Sequence, residues 1–98
     1  MSMAGSFPEK DWKYLRSISD EMLNILCGRI NREVIEIVQS QDASEHAKYL
    51  RLYKHVQESD NVVADCFNDW RRSTLGRRLL SLLRHGLLTE EQQAGLTL

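Results

Sequence analysis

Several features that would assign a function directly are scarce or missing in this 98-residue sequence. Its only proline is Pro8 and it has five glycines, so little interrupts a helix and no glycine-rich phosphate loop is present. No apolar run approaches the ~20 residues of a membrane span, and the first residues lack the apolar core of a secretion signal. The formal net charge of −1 argues against a protein that coats nucleic acid or an anionic membrane. We expect a soluble, cytoplasmic protein.

Cysteine and histidine are also few, and their spacing offers little chemistry. Cys27 and Cys66 stand among apolar neighbours and are interpreted as core thiols, with a redox role as the alternative. His46 and His55 are nine residues apart, which places them on opposite sides of a helix. No His-Glu-x-x-His, Cys-x-x-Cys or Glu-x-x-His motif is present, so we expect no catalytic residue, metal or cofactor. A substrate that completes a site between two protomers is the one enzymatic alternative.

What the sequence does contain is a strong helical period. From Trp12 to Ile37 apolar residues recur every three or four positions, which is the period of an α-helix. Pro8 suits the first turn, and the first helix is predicted over about 8–40. At 1.5 Å per residue it would measure ~45–50 Å, more than a chain of this size uses internally. One end is therefore expected to pack on something outside the monomer.

A second long helix is predicted over about 43–72. Asp42 is a good N-cap residue, and Glu45 stands three positions later, where a capping box has its carboxylate. Asp60 falls on the apolar face of this helix. It is interpreted either as a surface carboxylate or as a buried or interfacial one that needs a partner.

Two shorter helices complete the chain. One spans Leu75 to His85 and ends at Gly86, which suits the C′ position of a Schellman motif. Thr89 and Gln92 form a second capping box, which opens the last helix. The core-facing residues of the medium helix are predicted to be Leu75, Leu79, Leu82 and Leu83.

The predicted fold is therefore all-α: two long helices (about 8–40 and 43–72), then a medium and a short one. We expect a single helical domain over 1–98, with 1–6 disordered. A chain this short buries only ~60–65% of its unfolded surface, and a second copy would relieve that shortage. The predicted homodimer interface consists of Ile18, Met22, Leu26, Ile30, Val34, Leu50 and Tyr53.

Arginine is concentrated between residues 71 and 84, a segment of fourteen residues that contains five arginines and no acid. Three interpretations are open: a solvated helix face, a protein-docking surface, or a nucleic-acid contact by a helix that enters a groove. Arginine and tryptophan are enriched at the centres of protein interfaces, although Trp70 is alternatively a core residue. The predicted partner-binding residues are Trp70, Arg71, Arg72, Arg77, Arg78 and Arg84.

With Asp69-Trp70-Arg71 and Leu82-Leu83-Arg84-His85-Gly86-Leu87 at their spacing, the C-terminal half resembles the fluorescence recovery protein family of cyanobacteria. Asp69-Trp70-Arg71 matches an acid, a variable residue and an arginine in that family, and Ser73 follows. Leu82-Leu83-Arg84-His85-Gly86-Leu87 matches its Leu-Leu-x-x-Gly-Leu ending, and Val38-Gln39-Ser40-Gln41 is similar to the end of its first long helix. The resemblance implies a noncatalytic bacterial regulator, a helical homodimer that resets the photoactivated orange carotenoid protein.

The sequence departs from this family where the family contacts its carotenoid protein. The family has a tryptophan early in the second helix, an arginine about ten residues later and an aromatic in the third helix. The nearest positions here hold Leu50 or Arg51, then Asp60 or Asn61, then Arg77. We therefore expect a shared scaffold with a different, unidentified client protein, with a carotenoid protein as partner only if the family function is retained. A small nucleic-acid-binding or transcription accessory protein is the alternative function.

Overall fold

The computed structural model describes residues 8–68, 70–71 and 73–96. These residues form four helices and no strand: α1 (Glu9–Gln39), α2 (Glu45–Phe67), α3 (Leu75–Arg84) and α4 (Glu90–Ala94). The all-α prediction is confirmed. None of the helices in the described part of the chain has the length and apolarity to cross a membrane. The segment predicted to be disordered, 1–6, lies outside the described residues.

The connection between α1 and α2 differs in detail from the prediction. Ser44, not Asp42, is the N-cap of α2, because its hydroxyl oxygen accepts a hydrogen bond from the Ala47 N–H at 3.1 Å. The Asp42 carboxylate is engaged within the connection, where it accepts a hydrogen bond from Ser40 and lies 3.4 Å from Arg51. The Ser40 bond, and after it the Arg51 charge, hold the pKa of Asp42 below its usual value.

The second helix ends at Phe67, five residues before its predicted end. In a continuing helix the backbone N–H of residue 70 would donate to the carbonyl of residue 66. Here the indole N–H of Trp70 donates to that Cys66 carbonyl at 2.6 Å, and its ring stacks on Phe67 with centroids 6.1 Å apart. The tryptophan side chain thus takes the place of the helical bond at the end of α2.

The predicted Schellman motif at the end of α3 is confirmed, although the helix ends at Arg84, one residue before its predicted end. Gly86 has a φ of 64°, the left-handed conformation that glycine adopts without steric cost. The Leu87 N–H donates to the Leu82 carbonyl at 2.9 Å and the Gly86 N–H to the Leu83 carbonyl at 3.1 Å, which are the two bonds of a Schellman motif. The Thr89–Gln92 capping box of α4 is also formed.

Two glycines give opposite predictions for alanine substitution. Gly86→Ala is expected to lower the free energy of unfolding by about 1–2 kcal/mol, because an L-residue is strained at positive φ. Gly28→Ala is expected to raise it by roughly 0.5–1 kcal/mol, because glycine weakens a helix interior. A methyl group at Gly28 would meet only the Arg32 guanidinium, at 3.5 Å. Thermal melts at one fixed protein concentration would check the sign of both changes. Stabilisation by Gly86→Ala would contradict the left-handed conformation of Gly86.

The hydrophobic core occupies only one end of the molecule. Its buried side chains come from residues 15–26 of α1, the end of α2, α3 and the segment after it: Leu15, Met22, Leu26, Cys66, Leu75, Leu82, Leu87 and Leu88. Residues 31–61 form the outer part of the α1–α2 hairpin. None of these residues is buried, and none of their partly buried apolar side chains packs against this core. We call this segment the arm. The chain is therefore a small packed end with a two-helix extension.

Candidate docking surfaces

The arm exposes large apolar side chains to solvent. On α2, Tyr49, Tyr53 and Val56 follow the i, i+4, i+7 spacing that places residues on one side of a helix, and each is at least half exposed. Helix α1 exposes further apolar residues near its end. The exposed large apolar residues of the arm are Ile35, Val38, Tyr49, Leu50, Tyr53 and Val56. A stripe of this kind is typical of an interaction surface.

The predicted dimer residues fall into three groups. Met22 and Leu26 have 0% and 6% of their surface exposed, so they belong to the core of the chain itself. This corrects their predicted place, because a side chain already covered within one chain has no surface left for a second copy. Leu50 and Tyr53 are 51% and 57% exposed and lie on the arm. The remaining predicted dimer residues are half-buried: Ile18, Ile30 and Val34.

Polar groups occupy part of the interior between α1 and α2. The Nε2 atom of His55 lies 3.4 Å from the Ile30 carbonyl oxygen, and its Nδ1 lies 3.6 Å from the Glu33 carboxylate. These residues line a cavity of about 310 Å³, to which Glu58 and His85 also contribute. Near the base of the arm, α1 and α2 are therefore joined partly by polar contacts beside an open space.

Helix α3 presents a second exposed face. Leu75 and Leu82 are buried on its inner side, whereas Leu80 is 63% and Leu83 is 41% exposed. Leu83 was predicted to face the core; it lies outside because it is rotated by about 100° from Leu82, beyond the side that contacts α2. Arg77 and Arg84 are also exposed. We call these four residues the α3 face: Arg77, Leu80, Leu83 and Arg84.

Two of the five predicted partner-binding arginines, Arg77 and Arg84, belong to the α3 face. Arg78 is half-buried and its guanidinium donates to the Asp65 carbonyl oxygen at 2.8 Å, while its Nε is buried without a hydrogen-bond partner among the described residues. Arg78 therefore links α3 to α2, and its docking role stays a prediction. Arg71 is exposed in the connection before α3. Arg72 lies outside the described residues.

Trp70 lies at an aromatic corner between the helices. It is half-buried and packs against the core, with the Trp12 and Phe67 ring centroids 6.5 and 6.1 Å from its own. Arg16 lies over the Trp12 ring at 5.5 Å, a cation–π arrangement. Of the two interpretations of Trp70, packing within the chain is the one with contacts to support it.

Arg29 is an anchoring residue that the sequence did not indicate. Its guanidinium donates to the carbonyl oxygens of His85 and Gly86 at 2.8 and 2.9 Å. These carbonyls lie at the C-terminal end of α3, where backbone acceptors have no helical partner and a positive charge is favourable. The bonds join residues more than fifty positions apart, so no local pattern could have revealed them.

Loss of this anchor is expected to destabilise the chain. Arg29→Met keeps the aliphatic stem but removes both bonds, and because bonds from charged donors contribute about 1.5–3 kcal/mol, a loss of that size in unfolding free energy is expected. Arg32→Met is the matched control, since Arg32 is exposed on the same helix. Denaturant melts of both variants would measure the difference, and equal stabilities would contradict the anchoring role.

The side chains able to carry chemistry are placed as follows. Cys66 is fully buried and Cys27 half-buried. Burial, and after it the neighbouring Asp65 carboxylate, raises the pKa of Cys66, so its thiol is a weak nucleophile. Asp60, for which burial was one interpretation, is exposed on α2. The carboxylate of Asp65 lies 3.8 Å from the His85 imidazole.

The chain matches no protein-family model, no curated protein and no solved structure. The resemblance to the fluorescence recovery protein family therefore depends on the short motifs of the sequence alone.

Proposed function

We propose that this chain is a noncatalytic, homodimeric regulator that binds another protein. The main support for this proposal is the arm. It is a two-helix extension that exposes an apolar stripe and contributes no buried side chain to the core. Helices in proteins are stabilised mainly by packing of their apolar face. A partner that covers the arm would supply the missing layer.

A second copy fits this role on grounds of both shape and charge. The arm contains residues 45–61 of α2, a length of about 25 Å at 1.5 Å per residue, so two arms side by side can form an extended contact. In a two-fold dimer each arm offers the same surface to the other. The arm carries four Lys and Arg residues and six Asp and Glu residues, a net charge of −2, so repulsion between two copies is weak. The stripe that includes Leu50 and Tyr53 lies in the proposed interface.

The α3 face is the proposed client surface. Its two exposed leucines lie in the same helix as two exposed arginines, which suits a protein segment with apolar residues flanked by carboxylates. Nucleic acid fits the α3 face less well, because binding to phosphates depends on positive charges and the two leucines of this face supply none. The family resemblance supports the same type of function, in which binding changes the state of the client.

The dimer is tested by light scattering of the purified chain at micromolar concentrations. The expected mass is twice the 11.4 kDa of one chain. A monomeric mass over the whole concentration range would end the proposal, because the arm would then function uncovered.

The identity of the client is tested with the family's own partner as probe. The three contact positions of the family differ in this chain, so we expect that adding it to photoactivated orange carotenoid protein leaves the rate of return to the dark state unchanged. The return is followed by visible absorbance. Acceleration of the return would instead assign the family's client to this chain.

A further inference from the structure

Three metal-ligating side chains from separate parts of the sequence meet beside the core. Asp65 and Cys66 belong to the last turns of α2, and His85 caps the end of α3. A carboxylate oxygen, the Cys66 sulfur and a ring nitrogen of His85 all lie within 4.8 Å of one another. We propose that Asp65, Cys66 and His85 form a binding site for a borderline-soft divalent cation of the zinc class.

The distances are close to those that such a cation needs. Zinc binds thiolate sulfur at about 2.3 Å and nitrogen or oxygen at about 2.0–2.2 Å, in a tetrahedron. Donor atoms around one ion are then roughly 3.3–3.6 Å apart. The Asp65 oxygen and the His85 Nε2 atom are already 3.8 Å apart. Movements of about 1 Å, within reach of side-chain rotation, would bring all three donors to one ion, and water would supply the fourth ligand.

The donor set determines which cation fits. A thiolate with an imidazole selects zinc and related metals over magnesium and calcium, which prefer oxygen ligands. On binding, the Cys66 thiol gives its proton to solvent, and the thiolate and carboxylate together neutralise the two charges of the ion. Arg78 and Arg84 act electrostatically on the Cys66 thiol, and the two negative ligands would offset these positive charges for an arriving cation.

The backbones that carry two of the ligands are already fixed by other contacts. Arg78 donates to the Asp65 carbonyl oxygen and Arg29 to the His85 carbonyl oxygen. Pre-positioned ligands of this kind are what a precise site requires. Cys66 is fully buried, whereas the side chains of Asp65 and His85 are 42% and 30% exposed, so an ion would enter on the side of Asp65 and His85. A bound ion would link the end of α2 to the end of α3.

Cobalt(II) is the probe of choice, because a cobalt–thiolate bond has a charge-transfer band in the near ultraviolet. The reduced full-length chain is titrated with Co²⁺, then with Zn²⁺ in competition. We expect one equivalent of cobalt, a thiolate band, displacement by zinc and no competition by magnesium. Absence of the thiolate band in the wild-type chain would overturn the proposal.

Cys66→Ser and Cys27→Ser form a matched pair, since the chain has two cysteines. The band should disappear in Cys66→Ser and remain in Cys27→Ser; the reverse result would overturn the assignment. Because Cys66 is in the core, circular dichroism must show that its variant is folded.

If Cys66→Ser does not fold, His85→Gln tests the metal site instead. His46→Gln is its control, since His46 is exposed. Loss of His85 should weaken cobalt binding by more than the roughly 10–100-fold that follows loss of an outer-sphere partner. It should also abolish the rise in melting temperature that zinc gives the wild type. Unchanged affinity in His85→Gln would exclude the site, whatever the outcome for the proposed dimer.

Discussion

Glutamate in place of Leu50 is expected to convert the dimer to a monomer while the chain stays folded. Leu50 is 51% exposed in the single chain, so the substitution should cost each monomer no more than about 1 kcal/mol. In the dimer the same carboxylate would be buried without a partner, at a cost of several kcal/mol. A two-fold interface contains the substitution twice. The dissociation constant should therefore rise by at least about 100-fold, since each 1.4 kcal/mol is a factor of ten.

Light scattering over a concentration series measures this change, with circular dichroism as the check on folding. Asn24→Glu is the matched control, because it makes the same change of charge at an exposed position of α1 outside the arm. The control should remain dimeric. If Leu50→Glu dimerises as strongly as the wild type, the arm is not the interface. If both variants dissociate, net charge and not the apolar stripe is responsible.

Reversal of both arginines on the α3 face is expected to abolish client binding and leave the fold and the dimer intact. Arginines at the centre of an interface contribute about 2 kcal/mol or more each when they are hot spots, so Arg77→Glu with Arg84→Glu should reduce binding by at least about 100-fold. Arg84 is in the last turn of α3, where the helix dipole favours a cation. The double variant should therefore lose up to about 1 kcal/mol of stability.

A photo-crosslinking amino acid at Leu80 measures client binding, because this side chain is 63% exposed between the two arginines. Covalent adducts formed in the native host are identified by mass spectrometry, with and without the double substitution. Lys10→Glu with Lys13→Glu is the control of equal charge change, at exposed positions early in α1. Adducts of the double variant at wild-type yield would show that the α3 face is only solvated. Adducts that disappear on nuclease treatment would assign the surface to nucleic acid.

The different environments of Arg77 and Arg78 illustrate what a sequence pattern can and cannot reveal. Arg77 and Arg78 are neighbours in a run without acids, and nothing local distinguishes them. The structure separates them by about 100° of helix rotation, so Arg77 faces solvent while Arg78 reaches the Asp65 carbonyl oxygen. The direction in which α3 packs decides which arginine is available, and that direction depends on α2.

The metal-ligating group was not visible in the sequence for a similar reason. A metal motif within one helix places its ligands three or four residues apart, because such pairs share one side of the helix. Asp65 and Cys66 instead meet His85 across the turn between α2 and α3. The early end of α2, where the Trp70 indole occupies the Cys66 carbonyl, allows the chain to reverse there. A helix continued to residue 72, as predicted, would have placed these groups differently.

The sequence by itself determined the helices, because their signals are local: an apolar period of three to four residues, capping side chains, and a glycine at the end of α3. It also indicated a first helix too long for the chain's own core. Only the tertiary structure decided which apolar residues are covered. Met22 and Leu50 both fit the helical period, but one is buried in the core and the other lies on the arm. Periodicity defines the side of a helix, whereas burial depends on which parts of that side another element reaches.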